Sequence, residues 1–198
     1  SHRSGFPNWR ENEADTILKT KFEPNTDYLY SGEGFQYLAL ALMHIENIDH
    51  NGLERLFQER IGKPIGLEHT VFIQTPYTRK HKAEPYDEKG NWIDWHNHYW
   101  IQKGDGKFYA PSSIHSEPID FSKWMIAVMN KKILSPESYD EMLKPHSKVP
   151  FDGIDVSYTL GYITPNFPLT DIYLHTGNND GFTSWYALDK KKKWGFVI

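Results

Sequence analysis

His175, Thr176 and Gly177 stand side by side at the end of an apolar run, just ahead of the polar stretch Asn178-Asn179-Asp180-Gly181. An imidazole, a hydroxyl and a backbone without a side chain suit a ligand lying along a strand edge, bound by main-chain hydrogen bonds as an added strand. The backbone N–H of Asn178 would then point at a developing oxyanion. By itself the triplet is a weak signal, and a decorated hairpin is the default reading. Far upstream, Tyr30-Ser31-Gly32 comes directly before a helical pattern. A phenol there meets the unpaired N–H groups and dipole of a helix N-terminus, which favour negative charge; a lowered pKa would make Tyr30 a proton acceptor. Taken alone, Ser31 is an N-cap and the segment a plain helix start.

A rival constellation is Asp94-Trp95-His96-Asn97-His98. His96 and His98 would share one face of a strand, with Asp94 and His81 as further partners for zinc. The alternative is a surface or packing role. Cysteine is absent, which excludes disulfides, thiolate metal sites and a cysteine nucleophile. The net charge of −4 gives no reason to expect nucleic acid as a partner. The single basic run, Lys190–Lys193, falls where a solvated turn is expected. No apolar run reaches the roughly 20 residues of a membrane span, and no signal peptide is visible.

These residues need elements to hold them, and 198 residues suffice for one domain with a substantial core. Residues 1–29 read as mostly irregular. Phe35, Leu38, Ala39, Leu42 and Ile45 recur at helical spacing and predict a largely buried helix over 33–46. A second helix carries Leu53, Leu56, Phe57 and Ile61, with Asn51 as cap and Glu54 completing a capping box. Residues 72–115 are long, turn-rich and aromatic, a pattern of functional loops or short strands. Two more helices are expected, over about 118–130 with Ser116 as cap and from Ser135 with Pro136 at its first position. The period then changes. Segments 157–164, 171–176, 182–189 and 194–198 predict an antiparallel meander, giving an α/β (α+β) protein. The expected organisation is one domain over 1–198, with a mainly helical lobe at 30–150 and strands at 156–198.

The order and spacing of these motifs resemble the serine β-lactamase and penicillin-binding-protein superfamily. The branch most similar holds class C β-lactamases, D-alanyl-D-alanine carboxypeptidases and esterases. "SHRSGFPNW" resembles its "SHTSGLP" element, "FEPNTDYLYSGEGFQYLALAL" its "PGTxYxYSNxGYxLL" segment, and "LERLFQERIGKPIGLEHT" its helix ending in "PLGMxxT". "LSPESYDEML" and "YTLGYI" resemble a later helix and strand, and "HTGNNDGFTSWYALD" the pair carrying Lys/His-Thr-Gly. The resemblance implies an antiparallel sheet flanked by helices, with Tyr30 as general base and proton donor. It implies that His175, Thr176 and Gly177 bind the substrate carboxylate and line the cleft, and that the Asn178 N–H is one oxyanion donor. It implies a peptide, amide, ester or β-lactam substrate, no metal or organic cofactor, and an extracytoplasmic location. Trp92, Trp95, Tyr99 and Trp100 would border the cleft or pack its loop.

Two departures stand out. The third residue of the tyrosine motif is usually Asn and here is Gly32, which removes an amide and tilts expectation toward peptidase or esterase chemistry. The family's nucleophile lies in a Ser-x-x-Lys upstream of "SGLP", where one helical turn sets the amine beside the hydroxyl. That pattern occurs nowhere in these residues; its nearest imitation, Thr16-Ile17-Leu18-Lys19, follows "SGLP" instead. The expectation is a fragment, incomplete at both ends and inactive by itself, from an active-serine hydrolase. The alternative is a binding or regulatory protein on the same scaffold that recognises cell-wall-like peptides or sugars.

Overall fold

The computed structural model describes residues 1–10, 17–94 and 106–198. Helix α1 spans Gly32–Glu46 and stops at Asn47, which takes a left-handed conformation at φ 52°. Helix α2 (His50–Phe57) runs into a π-helical turn (Gln58–Gly62) and a final short turn, α3 (Lys63–Ile65). Helix α4 (Pro76–His81) lies inside the stretch expected to be loop or short strand, and a Thr75–Thr78 capping box starts it. Helices α5 (Pro118–Met129) and α6 (Pro136–Leu143) follow.

Six strands close the chain: β1 (Ser147–Val149), β2 (Val156–Tyr158), β3 (Ile163–Pro165), β4 (Ile172–Asn179), β5 (Phe182–Asp189) and β6 (Trp194–Val197). They form one antiparallel sheet in sequence order, the expected meander with β1 added. The strand expected over 157–164 is two strands, β2 and β3. A tight turn splits it, closed by Thr159 N–H to Tyr162 O at 2.8 Å, with Gly161 at φ 122°. Strand β4 continues through Asn179, so only Asp180 and Gly181 make the hairpin turn. Lys190–Lys193 form the β5–β6 turn, held by Asp189 Oδ1, which accepts the N–H groups of Lys191 and Lys192.

Two cores hold these elements. One packs Met125, Val128 and Met129 of α5 with Tyr139 and Leu143 of α6 against Tyr162 and Leu188 of the sheet region. The other gathers Ala39 and Met43 of α1, Leu53 of α2, and Phe108. Asp120 is buried at the start of α5. Its Oδ2 accepts the N–H groups of Glu68, His69 and Thr70 at 2.7–3.1 Å and the Thr70 hydroxyl, tying the 66–70 loop to α5.

Three local expectations are corrected. Asp49, not Asn51, caps α2 by accepting Gly52 N–H at 2.8 Å. Glu54 instead accepts the N–H groups of Phe72 and Ile73, and its carboxylate anchors that loop. Glu117, not Ser116, caps α5, because its carboxylate reaches both Ile119 and Asp120 N–H. Ser116 pairs with the Thr70 hydroxyl. Most of the apolar stripe of α1 does not face inward. Glu33, Gln36, Ala39 and Met43 are buried, whereas Leu38 and Ile45 are 55 % and 75 % exposed. The helix packs on α2 through Ala39 and Met43, which cluster with Leu53. Glu33 can be buried at the helix start because Arg10 meets its carboxylate at 2.8 Å.

Candidate active site

The N-terminus of α1 is built from the first residues of the chain. Ser31 Oγ accepts Gly34 N–H at 2.8 Å and donates to Pro7 O. Ser31 N–H donates to His2 Nδ1 at 2.9 Å, Gly32 N–H to Asn8 Oδ1 at 2.9 Å, and Glu33 N–H to Asn8 O at 3.1 Å. The free amides of the first turn are therefore already paired, and the helix start is not an open anion site. Tyr30, one residue before the cap, lays its ring over His2, with centroids 4.2 Å apart. Burial raises the Tyr30 pKa, so the lowering expected from the helix terminus is overturned.

The second wall comes from β2 and β4. Tyr158, fully buried on β2, brings its Oη to 2.5 Å from His175 Nε2. His175 Nδ1 lies 2.7 Å from the Thr176 carbonyl, which can only accept, so Nδ1 carries the proton. Burial lowers the His175 pKa and raises that of Tyr158. The Tyr30 and His175 rings are 6.1 Å apart, and His2 and Tyr158 are 4.3 Å apart. A groove of about 410 Å³ runs beside this cluster, with His2, Ser31, Phe35 and Leu160 among its walls.

Strand register decides what the edge of β4 offers. Trp185 and Ile198 exchange two backbone hydrogen bonds of 2.9 Å, so Trp185 faces β6. By alternation Tyr186 faces β4, and its partner His175 faces β5. Thr176 and Asn178 then direct their N–H and C=O groups away from β5. On that side β3 pairs with β4 at Leu174, short of the triplet. Among the described residues the edge from Thr176 to Asn178 is open, with Asn178 N–H facing outward. Thr176 is exposed, and Gly177 lies opposite Ser184, whose Oγ would be 2.6 Å from a Cβ at that position.

Gly32 is hemmed in. A Cβ there would lie 2.9 Å from Asn8 O and 3.2 Å from a ring carbon of Trp9, so the Asn8-Trp9 turn fills the space of a side chain. The ring of Trp9 stacks on Tyr109 at 6.2 Å.

His2 and Tyr158 are the members that sequence reasoning missed. His2 lies in the "SHRSGFPNW" element, but the sequence attaches no role to its ring, and only the fold threads residues 1–10 beneath α1. Tyr158 reads as one aromatic in a strand, and nothing local marks its hydroxyl as the partner of His175. Of the zinc hypothesis, His96 and His98 lie outside the described residues, as do Trp95, Tyr99, Trp100 and Thr16. His81 stacks on Tyr77 at 4.2 Å, and its Nδ1 lies 2.9 Å from Tyr77 O. Among the described residues no group of three or more His, Cys, Asp or Glu is arranged to hold a metal ion. Trp92 donates its indole N–H to Glu84 at the surface. No helix of the described residues is long and apolar enough to cross a membrane.

Comparison with known proteins matches the whole of residues 1–198 to the family described as Beta-lactamase. The chain is 24 % identical over 186 residues to Protein flp of Staphylococcus aureus (strain MW2), covering 89 % of this chain and 34 % of that protein. It thus spans about a third of the length of the curated relatives it matches. Among solved structures, the D-amino acid amidase of Ochrobactrum anthropi SV3 superposes with a TM-score of 0.74 at 19 % identity, covering 99 % of this chain and 60 % of that one. A beta-lactamase/D-alanine carboxypeptidase of Pseudomonas syringae gives a TM-score of 0.75 at 15 % identity, covering 99 % and 63 %. These likenesses establish a shared fold.

Proposed function

The chain belongs to the Beta-lactamase family, and on that premise we propose that it forms the substrate cleft of a serine hydrolase whose nucleophile lies outside these residues. The reaction is transfer of an acyl group from an amide, ester, peptide or β-lactam to that serine, followed by hydrolysis. Tyr30 accepts the serine proton and returns it to the leaving group. The Asn178 N–H stabilises the oxyanion, and Thr176 and Gly177 line the substrate along the edge of β4. The observation that carries this reading is the convergence of Tyr30 and His175 on one cluster, beside an open strand edge.

Burial raises the Tyr30 pKa, so a cation must approach the phenol before it can act as a base near neutral pH. The amine of an upstream Ser-x-x-Lys would supply it, since an opposite charge within about 4–6 Å favours the ionised form by roughly 1–3 pKa units. The amidase and carboxypeptidase that share the fold are in keeping with amide and peptide donors. We place the activity outside the cytoplasm, following the family resemblance.

The test is covalent labelling of the full-length protein with a fluorescent penicillin and a fluorophosphonate. Labelling of the wild type that is lost in Tyr30→Phe supports the hydrolase. No labelling by either reagent, with a ligand such as a peptidoglycan peptide still bound, identifies the chain as the binding member of a cleft that does not cut.

A further inference from the structure

His175 has no ring nitrogen left for a substrate. Its Nδ1–H is given to the Thr176 carbonyl, and its Nε2 lies 2.5 Å from the Tyr158 hydroxyl. Tyr158 is 1 % exposed, and its hydroxyl has no other hydrogen-bond partner among the described residues. If the imidazole were charged, Nε2 would be a donor, and the buried Tyr158 proton would lose its acceptor. The neutral arrangement, with Tyr158 donating and Nε2 accepting, satisfies both groups. The rings around it belong to Tyr30 and Tyr158, with His2 behind them. His2 is neutral too, because its Nδ1 accepts the Ser31 N–H and burial holds its pKa down to about 3. Neither histidine of this cluster therefore offers a positive charge, and Arg3, which also lines the groove, gives its guanidinium to the carbonyls of His146 and Asn25.

We propose that the Tyr158–His175 pair selects the acyl donor, admitting uncharged esters and amides and discriminating against donors with a carboxylate beside the scissile bond. This rests on the hydrolase reading above. A carboxylate entering here gives up its hydration and meets a neutral ring whose donor is already used. To greet it, the imidazole would have to take up a proton and strand the Tyr158 hydroxyl, or rotate off the Thr176 carbonyl. An uncharged donor needs only the main-chain groups of Thr176 and Asn178 along the β4 edge. Tyr158 acts through His175 and is a positioning residue.

The test uses full-length protein and two matched thioesters: N-benzoylglycyl thioglycolate, which bears a free carboxylate, and its methyl ester. Hydrolysis of either adds water across the thioester, giving benzoylglycine and a thiol that a chromogenic disulfide reports. The expected kcat/KM ratio favours the methyl ester by about tenfold or more. His175→Lys should reverse the preference. Tyr158→Phe should narrow it, more at acidic than at alkaline pH, because the released Nε2 can then be protonated. Preference of the wild type for the charged thioester, or none, overturns the proposal while leaving the hydrolase intact.

If neither thioester is cleaved and no serine reagent labels, the hydrolase reading fails, and the pair is read directly. In ¹⁵N-histidine-labelled full-length protein, His175 should appear as the neutral Nδ1–H tautomer at neutral pH and ignore added N-acetyl-D-alanine. Tyr158→Phe should change that signature. A charged ring, or a saturable shift with that carboxylate, overturns the proposal without reference to turnover.

Discussion

Tyr30, at the foot of α1, and His175, on β4, lie with ring centroids 6.1 Å apart, and the buried ring of Tyr158 contacts both. The two motifs share no element and no core. They meet because the segment 1–10 ties the start of α1 to the sheet side, with Arg3 donating to the His146 carbonyl and Ser147 Oγ to the Ser1 carbonyl. A base held this way is sensitive to its hydroxyl alone. Tyr30→Phe in the full-length protein should lower kcat by about 10²–10⁴-fold, the usual worth of a positioned proton acceptor. Its melting temperature should stay close to wild type, since among the described residues no hydrogen bond of the phenol holds the fold. Retained turnover would remove Tyr30 from the mechanism.

Gly32 cannot simply be given back an amide. A side chain there would press on the Asn8 carbonyl oxygen at 2.9 Å and on Trp9. Gly32→Asn should destabilise the protein by about 1–3 kcal/mol, read as a lower urea midpoint at unchanged slope. An unaltered midpoint would mean that the Asn8-Trp9 turn yields freely.

Asp120 is the buried acceptor that ties the 66–70 loop to α5. Burial alone would push its pKa up, but the amides of Glu68 and His69, the Thr70 hydroxyl and the Lys123 ammonium together hold it below the usual carboxylate range. Its folded pKa is lower than its unfolded one, so its stabilisation is present above the unfolded value of about 3.9 and fades as pH falls through the folded one. Asp120→Ala should cost roughly 3–5 kcal/mol, because it leaves several donors without their acceptor. Asp120→Asn keeps one oxygen and should cost less. Equal losses in the two variants would argue against this account.

His2, His115 and His175 all have burial-lowered pKa values, His2 down to about 3. For a histidine held neutral in the folded state, the unfolded chain takes up protons first as pH falls. Stability is therefore full above about pH 6.5 and declines below it, by up to about 1.4 kcal/mol per pH unit for each such group. Chemical denaturation between about pH 8 and pH 5 should show this slope, and His2→Gln should flatten it. A midpoint independent of pH over that range would contradict the burial of these rings.

Local signals alone were enough for much of the chain. The periodicities located α1, α5, α6 and the closing meander, because helical spacing and strand alternation are properties of neighbouring residues. Motif order tied Tyr30 and the His175 triplet to one family. What sequence could not decide was whatever depends on which surface meets which. The apolar stripe of α1 predicted burial for Leu38 and Ile45, yet the helix docks by Glu33, Ala39 and Met43, since periodicity identifies a face without naming its neighbour. Asp49 and Glu117 displaced Asn51 and Ser116 as caps because a carboxylate's reach depends on the entering backbone. The Tyr30 pKa moved opposite to the helix-terminus expectation because burial disfavours the phenolate, at a terminus whose free amides His2 and Asn8 already pair. The pairing of Tyr158 with His175 is likewise tertiary. A hydrogen bond between two strands depends on register and rotamer, and neither is written in the residues on either side.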